Sequence, residues 1–191
     1  MGSSKSLRLL ALAHNFKEKG VEFVLMKPSK DTRDGTGIVK SRAGLEMPCI
    51  SIDNNLNIYE YVKTYKLAIE ISDGALLRWV LIDECQFLEP EQVDQLADIV
   101  DLLGVNVMCY GLRTDFMSHL FPGSKRLFEL ADELSEVKSY CSCGDHKASI
   151  NARISENGEI VTEGHQIMVG GDSTYQALCR KCWKKRKKQQ K

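Results

Sequence analysis

The chain has 191 residues, of which 43% are hydrophobic, and its 26 basic and 26 acidic side chains give a formal net charge of zero. This length supports one substantial core with a small appended module, and the balanced charge gives no global field that favours nucleic acid. No apolar run approaches the roughly 18 residues of a membrane span, and no charged and then apolar leader opens the chain, so we expect a cytoplasmic protein without a membrane partner.

A short polar stretch precedes the first predicted helix. Small residues lead to Lys5 and Ser6, and apolar residues at helical spacing follow until Gly20. Lysine and serine at such a junction are typical of a phosphate-binding loop, in which Lys5 meets the terminal phosphates and the Ser6 hydroxyl ligates Mg²⁺. The alternative is the polar N-terminus of an ordinary helix.

This loop departs from the full phosphate-binding pattern in two places. The first glycine of the pattern, and a strand ahead of it, would lie before Met1, and Ser4 stands where the second glycine is expected. If that position needs a positive φ, serine costs about 1–2 kcal/mol there. Our hypothesis is that the native chain begins earlier and that this 191-residue chain binds ATP poorly.

Two strands and a helix are predicted over the next part of the chain. Residues 21–26 form a strand that leads into a polar loop containing Asp31 and Arg33. Arg33 is a candidate phosphate clamp, with an ordinary surface arginine as the alternative. Residues 49–52 are a short strand, and residues 58–69 have helical character.

Residues 79–82 are typical of a buried parallel strand, because four apolar residues in a row are closed by Asp83 and Glu84. Open α/β sheets bind ligands at the carboxyl ends of their strands. Asp83 is therefore a candidate for holding Mg²⁺, directly or through water, and Glu84 for accepting a proton. The alternative is a strand that ends in solvated acids.

A helix and a strand follow these acids. Residues 90–100 form a helix that begins at Pro90 and stops by Gly104, and residues 105–111 form another strand. This alternation of strands and helices predicts a parallel sheet with right-handed crossovers.

The loop over residues 112–123 is too apolar to be left in solvent. Phe116 and Phe121 can pack on a flat aromatic ligand, or they can serve as core residues. Ser124 is then predicted to cap a helix that runs through Leu134.

Four cysteines form two close pairs, Cys141 with Cys143 and Cys179 with Cys182. Two such pairs can converge on one tetrahedral Zn²⁺, and a site closed by four thiolates holds architecture and does not perform hydrolysis. Unliganded thiols are the alternative. The other three cysteines lie inside predicted strands or at their ends: Cys49, Cys85 and Cys109.

Between the cysteine pairs, residues 147–153 and 160–161 suggest a hairpin around Asn157 and Gly158. Residues 166–175 form a glycine-broken loop, which can close over a ligand if metal pins its base. The basic run over residues 184–188 is predicted to be a solvated helix end, with polyanion binding as the less favoured reading.

Several short motifs occur together in one order along the chain. They are Lys5 with Ser6, residues 31–33, residues 83–87, residues 110–116, residues 121–124, the paired cysteines, and Gly170 and Gly171 followed by Tyr175. In this order they resemble the zinc-containing thymidine kinase family, in its phage and bacterial branch. The resemblance covers essentially the whole chain.

The resemblance implies an α/β fold with a P-loop, a RecA-like and mostly parallel sheet flanked by helices, and a small zinc-bound lid domain. It divides the chain into a nucleotide-binding domain over residues 1–140 and a zinc module with lid and basic tail over residues 141–191. It also implies a cytoplasmic homotetramer that moves the γ-phosphate of ATP to the 5′-hydroxyl of thymidine or deoxyuridine. Family members use a general base on that hydroxyl, here Glu84.

The resemblance further implies two sets of binding residues. ATP and Mg²⁺ contact Gly2, Ser3, Ser4, Lys5, Ser6, Asp31, Arg33, Asp83 and Gln86. The nucleoside lies among Met1, Phe87, Leu112, Phe116 and Phe121, under a lid formed by Gln166, Ile167, Met168, Val169 and Gly170 with Tyr175. The implied cofactors are ATP, Mg²⁺ and a structural Zn²⁺ held by Cys141, Cys143, Cys179 and Cys182.

Two competing functions make different predictions. A catalytically weakened P-loop and zinc protein that binds nucleic acid through its basic tail would show steep salt-dependent binding and no ADP release with thymidine. Asp83 and Glu84 count against it, because they repel phosphates in the absence of Mg²⁺, and we expect no nucleic-acid partner. An ATPase with water as acceptor would release ADP without any nucleoside.

Overall fold

The computed structural model describes residues 4–166 and 175–190, which form two compact units. The larger unit contains residues 4–112 and 122–134, and the smaller unit contains residues 113–121 and the described part of residues 135–191. The predicted domain boundary between residues 140 and 141 stays a prediction. Within the described ranges, no helix is both long enough and apolar enough to cross a membrane.

A four-stranded parallel sheet forms the centre of the larger unit. Its strands are β1 (Glu22–Pro28), β4 (Ile50–Ile52), β5 (Leu77–Ile82) and β6 (Asn106–Cys109), in the order β4-β1-β5-β6. All three neighbouring pairs are parallel. The predicted parallel sheet is therefore confirmed, and β1, β5 and β6 end at one edge, where Met26, Ile82 and Cys109 lie in register. A small antiparallel pair, β2 (Ile38–Lys40) and β3 (Glu46–Pro48), lies outside this sheet.

Both faces of the parallel sheet are covered by apolar side chains. Met26 and Ile82 belong to a core cluster that includes residues of α2 (Ile58–Asp73) and α3 (Pro90–Leu103). Their strand neighbours Leu25 and Leu81 belong to a second cluster, with residues of α1 (Lys5–Glu18). Because successive strand residues face opposite sides, a sheet buried on both faces needs continuous apolar runs such as those in β1 and β5.

The helix after the apolar loop differs from its prediction. Helix α4 spans Pro122–Leu130, so it begins before Ser124 and ends before Leu134. Proline with its fixed φ suits a first helical position, which moves the start ahead of the serine. The Ser124 hydroxyl does not cap the helix but donates a hydrogen bond to the carbonyl oxygen of Leu112, at 2.6 Å. Leu134 is exposed, so a longer helix would bury no further apolar face.

The smaller unit contains an antiparallel pair, β7 (Ile150–Arg153) with β8 (Tyr175–Leu178), followed by helix α5 (Arg180–Gln189). An isolated bridge between Ile154 and Ile160 confirms the predicted turn around Asn157 and Gly158. The strand partner of β7 is β8, however, so the prediction that residues 147–153 and residues 160–161 form paired strands is wrong. A separate small apolar core, distinct from that of the parallel sheet, includes Ile150, Ala152, Ile160 and Leu178. The basic residues of the last predicted segment lie in α5 and are exposed or half-buried.

Candidate active site and metal centre

Strand β5 delivers Asp83 and Glu84 to the carboxyl edge of the parallel sheet. The Asp83 N–H donates to the Met26 carbonyl oxygen at 3.0 Å, which continues the pairing with β1 one residue beyond the strand. Both carboxyl groups are buried. The alternative of a strand that ends in solvated acids is therefore wrong, and the two acids occupy the position at which α/β sheets bind ligands.

The Asp83 carboxylate contacts Ser6 at the start of α1. The Ser6 hydroxyl donates a hydrogen bond to Asp83 Oδ2 at 2.8 Å. Burial raises the pKa of Asp83 to about 6, the charge of Glu84 adds to this, and the Ser6 hydrogen bond and the charge of Lys5 partly offset it. Asp83 Oδ1 is buried and finds no hydrogen-bond donor among the described residues.

The donor set at Asp83 fits a magnesium ion. Mg²⁺ prefers oxygen ligands, and here a hydroxyl oxygen adjoins a carboxylate with one oxygen left over. A buried carboxylate that lacks a full set of donors is costly unless a cation or ligand completes it. Asp83 and Ser6 are therefore the residues of the larger unit that can hold Mg²⁺ together.

The residue ahead of α1 has a left-handed backbone conformation. Ser4 has φ 58° and ψ 25°, in the left-handed region, and its carbonyl oxygen accepts the Arg8 N–H at 3.0 Å. Ser4 therefore occupies a position with a positive φ, where serine costs more than the glycine of the phosphate-binding pattern. The first N–H groups of a helix and its dipole attract anions, and Lys5 adds a positive charge there. Met1, Gly2 and Ser3 lie outside the described residues.

Arg33 lies between two carboxylates. Its Nε is 2.6 Å from Asp31 Oδ1, and its Nη2 is 2.6 Å from Glu84 Oε1. Burial by itself disfavours the charged guanidinium, but the hydrogen bond with Asp31 and the charges of both acids raise the pKa of Arg33. The loop after β1 is therefore tied to Glu84, the second residue after β5.

Lys27 supports this loop from inside the protein, and the sequence prediction missed it. The side chain is buried, with Nζ 2.8 Å from the Gly35 carbonyl oxygen and 3.5 Å from Asp31 Oδ2. Burial favours the neutral form of Asp31, but the hydrogen bond from Arg33 and the charges of Arg33 and Lys27 outweigh it and lower the pKa of Asp31. A lysine directly after the apolar run of residues 23–26 was the available signal.

Gln86 has partners at both ends of its side-chain amide. Its Nε2 donates to Glu84 Oε2 at 2.6 Å, and its Oε1 accepts the Leu112 N–H at 2.9 Å. Glu84 itself has φ 51°, which is rare for a residue with a side chain. Each oxygen of the Glu84 carboxylate thus has one donor, Arg33 on Oε1 and Gln86 on Oε2.

The four cysteines of the two close pairs come together in the smaller unit. The sulfur atoms of Cys141, Cys143, Cys179 and Cys182 all lie within 4.8 Å of one another. Zn–S bonds of about 2.3 Å in a tetrahedron place sulfurs about 3.8 Å apart, so the cluster fits a metal ion of this kind. A hydrogen bond from the Cys143 backbone lowers the pKa of Cys141 to about 6, although burial opposes this shift. Hydrogen bonds with Cys179 and Cys141 raise the pKa of Cys182 to about 12, so without a metal ion the cluster favours the thiolate at Cys141 and the thiol at Cys182. The cluster can therefore hold a metal ion.

A family model for thymidine kinase matches residues 1–183 of the chain. A thymidine kinase of Enterobacteria phage T4 is 46% identical over 183 residues, which cover 96% of this chain and 91% of the phage protein. The chain belongs to the thymidine kinase family. Thymidine kinases of Legionella pneumophila strain Lens (44% identical, covering 97% of this chain and 86% of the relative) and Streptococcus pyogenes serotype M3 strain MGAS315 (43%, 95% and 91%) are also similar. The membership predicted from the sequence motifs is thus confirmed.

The described ATP and Mg²⁺ residues predicted from the family resemblance include two contacting pairs in the larger unit. One pair is Ser6 with Asp83. The other is Asp31 with Arg33, and Arg33 also contacts the predicted base, Glu84. The assignment of Gln86 to the nucleotide stays a prediction, and both ends of its amide have protein partners.

The nucleoside residues expected for a thymidine kinase also stay predictions. Phe87 and Leu112 are half-buried residues of the larger unit, and Met1 and residues 167–170 lie outside the described part of the chain. In the smaller unit, Phe121 is buried, and Gln166 Nε2 donates to Asp115 Oδ2 at 2.9 Å.

Arg153, which the sequence did not single out, contacts two aromatic residues of the smaller unit, Phe116 and Tyr175. Its guanidinium carbon lies 3.8 Å from the centroid of the buried Phe116 ring. Its Nε and Nη2 donate to the Tyr175 hydroxyl at 3.1 and 2.9 Å, and Nη2 also donates to the His165 carbonyl oxygen. The sequence offered only an arginine at the end of a predicted strand, and its burial became visible in the structure.

Proposed function

We propose that this chain is an ATP-dependent thymidine kinase that transfers the γ-phosphate of ATP to the 5′-hydroxyl of thymidine or deoxyuridine. The observation that carries the proposal is the pairing of a buried Asp83 and Ser6 directly beside Glu84 at the carboxyl edge of the sheet. Family membership supports the nucleoside, because the relatives named above are thymidine kinases. Phosphoryl transfer needs charge neutralisation, alignment and one group to receive a proton, and this edge supplies residues for each.

The larger unit would bind the nucleotide through the start of α1. The helix N-terminus and Lys5 favour the phosphates, while Ser6 and Asp83 hold Mg²⁺. When bound there, Mg²⁺ would neutralise the negative charge that develops on the phosphates during transfer. Arg33 adds a second positive charge, which Asp31 and Lys27 hold in place.

Glu84 would act as the general base. Its carboxylate accepts hydrogen bonds on both oxygens, from Arg33 and from Gln86, which fixes the plane in which a further proton can be received. A syn or anti lone pair on either oxygen remains for the 5′-hydroxyl proton, since a carboxylate has about four acceptor sites. We assign no role in proton transfer to the other acids.

The cysteine cluster would hold a structural Zn²⁺. Four protein ligands leave no open position for water, so the ion orders the smaller unit and does not take part in the chemistry. We keep the homotetramer, the cytoplasmic location and the nucleoside-binding residues of the family resemblance as parts of this proposal.

ADP release with a panel of nucleosides tests the proposal. We expect release that depends on thymidine or deoxyuridine and is absent with purine nucleosides. Glu84→Gln should lower kcat by about 10²–10⁴-fold, which is the usual contribution of a general base. Glu91→Gln, an exposed acid in the first turn of α3, is the matched control and should leave kcat unchanged.

Two outcomes would overturn this assignment in different ways. ADP release at the same rate without nucleoside would show that water is the acceptor. Unchanged kcat in a folded Glu84→Gln protein would remove Glu84 from the role of base while leaving the kinase activity in place.

A further inference from the structure

We propose that Gln86 is a positioning residue that holds the Glu84 carboxylate in its reactive orientation and couples it to the backbone of Leu112. This inference rests on the proposed role of Glu84 as the base. Gln86 is 1% exposed, so its amide is withdrawn from solvent. One end of the amide contacts the base, Glu84, and the other end contacts the backbone of Leu112.

The direction of the Gln86 amide is fixed by its two partners. A carboxylate oxygen can only accept a hydrogen bond, and a backbone N–H can only donate one. The NH₂ group must therefore face Glu84, 2.6 Å away, and the oxygen must face Leu112 N, 2.9 Å away. The opposite orientation would set two oxygens and two donors against each other in a buried place, where unpaired polar groups cost most.

Gln86 also differs from the second donor to Glu84. The Arg33 side chain is 29% exposed and is shared between Asp31 and Glu84. Arg33 also carries the positive charge proposed to contact phosphate, so phosphate binding competes with its ion pair to Glu84. Gln86 is neutral and buried, so it carries no charge that phosphate would draw away from Glu84.

The slot that holds Gln86 has no spare room. A Cβ added at Gly111 would lie 2.5 Å from Cys85 Sγ and 2.7 Å from Gln86 Oε1, both closer than real Cβ contacts. Gly111 does not have a positive φ, so its lack of a side chain serves this close approach. Leu112 is held in turn, because its carbonyl oxygen accepts the Ser124 hydroxyl at 2.6 Å.

Loss of the Gln86 amide should therefore affect the reaction more than substrate binding. A reactive group misplaced by about 1 Å can lose about 100-fold in rate. We expect Gln86→Met to lower kcat by roughly 10- to 100-fold while KM for ATP and thymidine stays within about 3-fold.

The test is a double-mutant cycle of Gln86→Met with Glu84→Gln, measured as kcat by ADP release on the full chain. If Gln86 acts through Glu84, Gln86→Met lowers kcat by roughly 10- to 100-fold in the wild-type background. In the Glu84→Gln background, it lowers kcat by less than about 3-fold. A loss of the same factor in both backgrounds would show a merely structural role and overturn the inference.

Gln92→Met is the matched control for the loss of a buried glutamine. Gln92 also uses both ends of its amide, with Oε1 accepting the Glu89 N–H and Nε2 donating to the Asp53 carbonyl oxygen, at 3.1 and 2.8 Å. This variant should lose stability and keep kcat. A kcat loss in Gln92→Met equal to that in Gln86→Met would also overturn the inference.

Gln86→Glu covers the case in which the methionine variant does not fold. It keeps an acceptor for Leu112 and the size of the side chain. Assayed above the pH at which the two neighbouring carboxyl groups share a proton, it sets an oxygen against Glu84 in place of the donor, and it should again lower kcat without a matching change in KM. Wild-type kcat in Gln86→Glu would refute the positioning role. The proposed function fails separately, if Glu84→Gln alone keeps wild-type kcat.

Discussion

Replacing Asp31 by asparagine tests the buried charges that support the loop of Arg33. Lys27 Nζ and Asp31 Oδ2 are 3.5 Å apart, and their side chains are only 2% and 4% exposed. The substitution removes the negative charge that faces the Lys27 ammonium. It also weakens the contact of Asp31 with Arg33, but that side chain is partly exposed and keeps its contact with Glu84. The cost is therefore dominated by Lys27.

The magnitude follows from the burial of this pair. Removing one partner of a buried ion pair costs about 3–5 kcal/mol, because the other charge stays out of water. The asparagine oxygen can still accept one hydrogen bond, which returns about 1 kcal/mol. We therefore expect Asp31→Asn to lower the free energy of unfolding by roughly 2–4 kcal/mol, a large part of the about 5–15 kcal/mol typical of a domain.

Urea unfolding of matched variants measures this cost. Glu46→Gln makes the same chemical change in an exposed pair, with Lys40 Nζ 3.3 Å from Glu46 Oε2 and side chains 49% and 52% exposed, and should cost less than about 1 kcal/mol. The double variant Lys27→Met with Asp31→Asn should recover part of the stability, because no unpaired charge remains buried. If Asp31→Asn is no more destabilised than Glu46→Gln, the reasoning about the buried charge is wrong.

The same carboxylate predicts a dependence on pH. Its pKa is lower in the folded protein than in the unfolded chain, so its contribution is fully present above its ordinary pKa of about 4 and is lost as the pH falls through the folded value. Between about pH 5 and about pH 3, the wild-type protein should therefore lose more unfolding free energy than Asp31→Asn. Equal losses would contradict the lowered pKa.

Three further perturbations give distinct results. Ser4→Gly should raise the free energy of unfolding by about 1 kcal/mol, because φ 58° strains serine and its side chain makes no capping hydrogen bond; no gain would refute the strain. Gly123→Ala should lower the free energy of unfolding by about 1–3 kcal/mol, since the new Cβ would lie 2.5 Å from the Leu88 carbonyl oxygen. Gly37→Ala is the control, because Gly37 has open space around it, and it should change little in the same urea titration. Chelation should release about one Zn²⁺ per chain, measured by atomic emission, and make the smaller unit more sensitive to protease; unchanged digestion after verified metal loss would contradict a structural role.

The strands of the parallel sheet were predictable because the sheet is buried on both faces. Such strands need unbroken apolar runs, and the run that ends at Ile82 is followed at once by the two acids. The cysteine cluster was predictable from spacing, since two close pairs of cysteines match the ligand pattern of a structural zinc site.

The bounds of α4 were not predictable from capping preferences alone. Serine is a good cap in isolation, but the Ser124 hydroxyl has a partner in the Leu112 carbonyl, far from it along the chain. Proline at the start and the lack of a buried apolar face after Leu130 set the helix instead.

The pairing within the candidate site was also out of reach. The sequence placed Asp31, Arg33 and Glu84 at strand ends but not in one ion-paired group, because that contact depends on the order of β1 and β5 in the sheet. Gln86 gave no local pattern that distinguishes a buried support from a surface residue, because its partner Leu112 lies on a distant part of the chain.

The left-handed backbone at Glu84 limits how this protein can be engineered for heat resistance. A ranking of positions by backbone preference would treat Ser4 and Glu84 alike, since both have a positive φ that glycine adopts freely. Glycine at Ser4 leaves the reactive groups intact, whereas glycine at Glu84 would relax the chain by deleting the carboxylate on which turnover is proposed to depend. At Glu84, higher stability would call for glycine, whereas the proposed activity needs glutamate.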